Sequence, residues 1–150
     1  MKEIIITFLI SMVPVIELRG AIPYGAAQNI PIWICFFVSI VGNLIPVPFI
    51  IIFIRKIIGI IKKMSKHIRS FAEWLERKAE KNKEKVLKYE FWGLMLLVAV
   101  PLPGTGAWTG ALVAAMLDMQ LKRALPAIVV GVIVAGIIVS LATAGVVAII

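Results

Sequence analysis

Two charge-free apolar runs, Pro31–Ile54 of 24 residues and Ala124–Ile150 of 27, constrain this chain more than any other feature. Coiled as α-helix, each is long enough to cross about 30 Å of hydrocarbon, which takes about 20 residues. Composition agrees, with 61% of the 150 residues hydrophobic, 16% charged and a mean hydropathy of +1.04. A soluble domain of this size carries about 45–50% apolar and about 25% charged residues, and its core could not hold the excess. The expected class is an all-α integral membrane protein. A single cysteine, Cys35, offers neither a disulfide nor a metal cluster, and no cofactor or metal is expected.

The formal net charge of +8 is unevenly placed: 12 of the 16 Lys and Arg lie between Arg55 and Lys88. Basic residues gathered in one connecting stretch mark the cytoplasmic side of a membrane protein. They read as a topology signal with anionic headgroups as neighbours, and no nucleic-acid partner is expected. Within this stretch Met64, Ile68, Phe71 and Leu75 form a helical apolar stripe that would lie in the headgroup plane, while Arg77–Lys85 is polar on every side. The N-terminal apolar run from Ile4 to Ile16 meets Glu17-Leu18-Arg19 with no small-residue cleavage site before it, and reads as a retained membrane segment.

Two further apolar stretches are broken. Ile4–Ile16 meets Pro14, Glu17, Arg19, Gly20 and Pro23, and Phe91–Val100 runs into Pro101-Leu102-Pro103-Gly104-Thr105-Gly106. Arms of about 20 and 15 Å do not cross alone, so both stretches fit re-entrant hairpins that enter and leave by one face. That reading returns Lys122 and Arg123 to the cytoplasm with the linker, and it leaves Lys2 outside, against the charge rule. Pro14, Gly20-Ala21 and Gly25-Ala26 are echoed by Pro101, Gly106-Ala107 and Gly110-Ala111, each set ahead of a long helix containing Gly42 or Gly131. The expected architecture is one membrane domain, 1–150. Residues 1–54 and 91–150 form an inverted repeat of hairpin plus spanning helix, joined by the basic cytoplasmic linker 55–90. Broken segments in corresponding positions of inverted repeats point to a transporter with its site at the repeat interface.

Candidate site residues follow from polarity at membrane depth. Glu17 and Arg19 are costly there, and they read as a proton or cation site and an anion contact, or as a self-neutralising pair capping a hairpin tip. The turn of Pro101, Pro103, Gly104, Thr105 and Gly106 would expose backbone N–H groups to an anion, with Trp108 and Thr109 beside it. Its alternative is a tight turn that needs Gly and Pro for geometry. Pro23 belongs to the first break, and Asn43 reads first as an interhelical hydrogen-bonding group and second as a substrate contact. Gly136, Ser140 and Ala144 form a small-residue ridge that fits packing within one chain or in a homodimer. Enzyme chemistry is not expected: His67 is the only histidine, no acid, His and Cys cluster has metal spacing, and there is no P-loop.

Through Glu17-Leu18-Arg19-Gly20-Ala21-Ile22-Pro23 and Pro101-Leu102-Pro103-Gly104-Thr105-Gly106-Ala107-Trp108-Thr109-Gly110-Ala111 the chain resembles the putative small multi-drug export protein family. That family is similar to the wider DedA/VTT superfamily of prokaryotic membrane proteins. The resemblance implies paired, oppositely oriented re-entrant hairpins and transport of small molecules or of phospholipid or lipid phosphate in a prokaryotic plasma membrane. It also implies an acidic residue for proton coupling, a role that Glu17 matches; the second hairpin has no arginine between Pro101 and Leu117. Two other readings are a four-span antiporter of the small-multidrug-resistance type and a non-transporting membrane organiser that docks through the linker.

Overall fold

The computed structural model describes residues 1–64, 66, 70 and 83–149, and among these the regular structure is entirely helical. Helix α1, Lys2–Met12, stops two residues before Pro14, whose ring disfavours a helical predecessor; Val13 is extended, at φ −74° and ψ 130°. A turn then leads into α2, Glu17–Ala27, which carries Pro23 in its interior. Helix α3, Ile32–Leu44, runs on through Ile45 in helical geometry to α4, Pro46–Met64. Together Ile32–Ile60 makes one 29-residue apolar path with Pro46 and Pro48 at its joint. The second half holds α5, Lys83–Ala99, α6, Ala107–Met116, and the 29-residue α7, Leu121–Ile149. The paths Ile32–Ile60 and Leu121–Ile149 are each about 44 Å long and apolar enough to cross a membrane. Most of the amphipathic and polar linker stripe (Ile68, Phe71, Leu75 and Arg77–Asn82) lies outside the described residues.

Helices α1, α2 and α3 pack on one another, and so do α5, α6 and α7; α7 joins the two groups by packing on α2 and α3, while α6 packs on α4. Local devices recur between the groups. Helix α2 ends with Asn29 in the left-handed region, Asn29 N–H donating to Ala26 and Ile30 N–H to Gly25. Helix α6 ends the same way, with Asp118 left-handed and the N–H groups of Asp118 and Met119 on Ala115 and Ala114. Both are Schellman closures, which satisfy the last carbonyls and reverse the chain. A Cβ on Gly42 would press on the Phe8 carbonyl oxygen at 2.8 Å, and one on Gly131 on that of Met95 at the same distance. These glycines let α3 approach α1, and α7 approach α5, closer than any side chain allows. Gly136 lies against Phe36 of α3, so this part of the small-residue ridge is used within the chain. The core between the groups gathers Leu18, Ile22, Val98, Ala107, Ile128 and Val132.

Candidate functional site

The turn between α1 and α2 places the two charges of the first half. Val15 and Glu17 both take positive φ, 76° and 50°, a region that costs an L-residue about 1–2 kcal/mol. This tight turn starts α2 at Glu17, so that Glu17 and Arg19 face the gap between α5 and α6 at Val100–Gly106.

Each charge meets one side of that gap. The Glu17 carboxylate, 2% exposed, accepts the backbone N–H of Ala107 at 3.3 Å and of Trp108 at 3.0 Å. It thereby caps the N-terminus of α6, where unpaired N–H groups and the helix dipole favour an anion. The Arg19 guanidinium donates to the carbonyls of Val100, at 3.0 Å, Val98, at 3.4 Å, and Thr105, and to Thr105 Oγ1 at 3.0 Å. Val98 and Val100 end α5, whose carbonyls favour a cation. The two charges of α2 thus close the broken α5–α6 helix from both ends, and they do not form an ion pair with each other. Among the described residues the ion pair is Arg55 Nε with Asp118 Oδ1, at 3.7 Å. In return, Trp108 Nε1 donates to the Met12 carbonyl at 3.2 Å, capping the end of α1.

The loop itself is stiffly held. The Thr105 hydroxyl lies 2.7 Å from the Val100 carbonyl and 2.8 Å from that of Leu102, and Thr109 Oγ1 donates to the Gly104 carbonyl at 2.8 Å. Gly104 and Gly106 have φ of 80° and 137°, which only glycine adopts readily. Beyond that, a Cβ on Gly106 would collide with the Glu17 carboxylate. Pro101 and Pro103 are exposed and shape the loop, and Pro23 is exposed on α2, away from the capping contacts.

Behind the caps lies a narrow crevice lined by Glu17, Arg19, Asn43, Gly106, Val132 and Ala135. Asn43 is fully buried, and neither its Nδ2 nor its Oδ1 has a hydrogen-bond partner. Its interhelical bond, the first expectation from sequence, is therefore not made. Arg19 Nε and Ser39 Oγ are likewise buried and unpartnered. Each such group costs about 1–3 kcal/mol, and two of them, Arg19 Nε and the Asn43 amide, belong to residues that line this crevice. Of the residues singled out from sequence, Glu17, Arg19, Asn43, Thr105, Gly106 and Trp108 converge here. Sequence reasoning missed the backbone partners at Val98, Val100, Ala107 and Met12, which carry no side-chain signature.

A family model described as "Putative small multi-drug export protein" matches residues 17–138, from Glu17 through Gly136 and beyond. No curated protein and no solved structure matches the chain.

Proposed function

The chain belongs to the putative small multi-drug export protein family, and on that premise we propose that it is a proton-coupled membrane transporter or lipid translocase. The family name denotes export, which favours transport over enzyme chemistry. In this reading α1–α2 and α5–α6 are re-entrant hairpins in oppositely oriented units, as in the DedA-like proteins that the sequence resembles. The linker is cytoplasmic, and the site lies where the hairpins face each other. Glu17 carries the proton, and the substrate is a small molecule, a phospholipid or a lipid phosphate.

The observation that carries the proposal is the buried Glu17 and the half-buried Arg19 holding the gap in the opposite hairpin. Charge at that depth is functional by default. Helix lengths support hairpins over four simple spans, since α1 and α2, with 11 residues each, and α6, with 10, reach only about 15–17 Å. The matched Schellman closures and glycine contacts support a repeat. Proton flux in pyranine-loaded proteoliposomes, challenged with lipophilic cations or anionic phospholipid, tests the proposal. Wild type should show substrate-dependent flux and Glu17→Gln none; intact flux in the variant would remove the coupling role.

A further inference from the structure

The two interfaces that Gly42 and Gly131 bring together match in backbone and differ in chemistry. Gly42 meets the Phe8 carbonyl and Ser11, and Gly131 meets the Met95 carbonyl and Val98. Counted from these glycines, Cys35, Ser39 and Asn43 of α3 stand where α7 has Ala124, Ile128 and Val132, and all six are buried. Counted from the two carbonyls, Thr7 and Ser11 of α1 stand where α5 has Leu94 and Val98. One interface carries a hydroxyl, thiol or amide at each position where the other is aliphatic. Among the described residues, the buried polar side chains are Thr7, Ser11, Ser39 and Asn43 of this seam together with Glu17.

These groups do not bind the helices to each other. Thr7 Oγ1 donates to the Glu3 carbonyl at 2.8 Å and Ser11 Oγ to that of Phe8 at 2.6 Å, both within α1. Cys35 Sγ lies 3.6 Å from the Ile30 carbonyl, and Ser39 Oγ and the Asn43 amide have no partner. Among the described residues no hydrogen bond crosses from α1 to α3. Interhelical bonding, the common reason for polar groups between membrane helices, is therefore not what they supply. Each unpaired group costs about 1–3 kcal/mol in the closed seam, and water recovers that cost. Parting α1 from α3 breaks no hydrogen bond between them, whereas parting α5 from α7 would wet aliphatic surface.

The polar groups also lie in order along the seam. At its N-terminal end the Tyr24 hydroxyl donates to Glu3 at 3.0 Å. Thr7 and Cys35 come next, beside Gly25, and Ser11 follows beside Gly42. Asn43, with Glu17, lines the crevice. Cys35 to Asn43 covers about 12 Å of α3. We propose that the α1–α3 seam is the water path from the N-terminal face of the protein to this crevice, closed in this structure and hydrated when α1 moves off α3. The inference rests on the transporter reading for its destination, and it deepens that reading by naming the interface that gives access to the site. The aliphatic α5–α7 interface stays shut.

Cys35 is the chain's one cysteine, so the native seam carries its own reporter. The thiolate is the reactive form of a thiol, and it is populated where water reaches. The full chain in lipid nanodiscs is treated with the membrane-impermeant reagent trimethylammonioethyl methanethiosulfonate, and modification is followed by intact mass. The control is Cys35→Ala with Ala124→Cys, the matched position on the aliphatic interface. Wild type should react at least about tenfold faster than this control. Ser39→Cys and Ile128→Cys, each in a Cys35→Ala background, repeat the comparison one turn deeper and should differ in the same sense. Thr7→Val combined with Ser39→Ala keeps Cys35 and removes two seam hydroxyls. It should slow the reaction of Cys35 by about tenfold with no loss of thermal stability, since neither hydroxyl bonds across the seam.

Equal rates at matched positions, an inert Cys35, or a rate unmoved by loss of the hydroxyls overturns the proposal. The matched-cysteine comparison stands even if the doubly substituted seam fails to fold. Rapid modification of Cys35 without substrate-dependent proton flux would keep the water path and remove the transporter reading. Flux with an inert Cys35 would do the opposite.

Discussion

At Gly106 the backbone takes a φ of 137° directly beneath the Glu17 carboxylate, so the position is constrained by conformation and by space together. Gly104, two residues earlier, has φ of 80° and nothing within 4 Å of its missing Cβ. The pair separates strain from contact. Gly104→Ala should lower stability by about 1–2 kcal/mol, the cost of the left-handed region alone. Gly106→Ala should cost about 3–5 kcal/mol, because it adds expulsion of the carboxylate from two charge-assisted hydrogen bonds. Thermal unfolding in detergent reads both, and equal losses would mean that the carboxylate contributes nothing to the closed gap. Arg19 is governed by shape as much as by charge. Its planar fork reaches the Val100 and Thr105 carbonyls together, which a single ammonium does not, so Arg19→Lys should cost about 1–3 kcal/mol. A lysine variant as stable as wild type would reduce Arg19 to a point charge.

Helix pairs depend on two glycines that bring backbones together. Gly42 on α3 lies against Phe8 and Ser11 of α1, and Gly131 on α7 against Met95 and Val98 of α5. Alanine at either position has to push backbone apart, and overpacking of this kind costs about 1–3 kcal/mol. Gly145, near the end of α7, has open space around it, and Gly145→Ala should be neutral or stabilising by up to about 1 kcal/mol. Losses of similar size at Gly42 and Gly131, against none at Gly145, would show that two matched interfaces hold α1 to α3 and α5 to α7. Comparable losses at all three would remove that distinction. The positions of helix ends were legible in the sequence: Pro14 stops α1 through the residue before it, and the Pro-Gly run from Pro101 to Gly106 separates α5 from α6. These are local steric rules, which act before any tertiary contact exists.

Across the whole molecule, α7 binds the two groups of helices by packing on α2 and α3 as well as on its own neighbours. If α5–α6 is a re-entrant hairpin, Gln120 returns to the face from which the linker left. In a Cys35→Ala background, Gln120→Cys and Ser70→Cys, both exposed, should react with an impermeant maleimide from the same side of the membrane. Labelling from opposite sides would make α5–α6 a crossing and end the hairpin reading. What the sequence determined by itself is the all-helical class, the two long apolar paths and the two breaks, because hydropathy and proline sterics are properties of neighbouring residues. Only the tertiary structure decided what Glu17 and Arg19 do with their charge. In sequence they are two apart and look like partners. In the fold each is drawn to a helix end some 80 to 90 residues away, because unpaired N–H and carbonyl groups at a helix break attract opposite charges. The same holds for Asn43, whose amide looks self-evidently bonded in a helix sequence. It is left without a partner in a crevice whose other lining includes Val132 and Ala135 of α7, Ala107 of α6, and Glu17, whose carboxylate is committed to the α6 N-terminus.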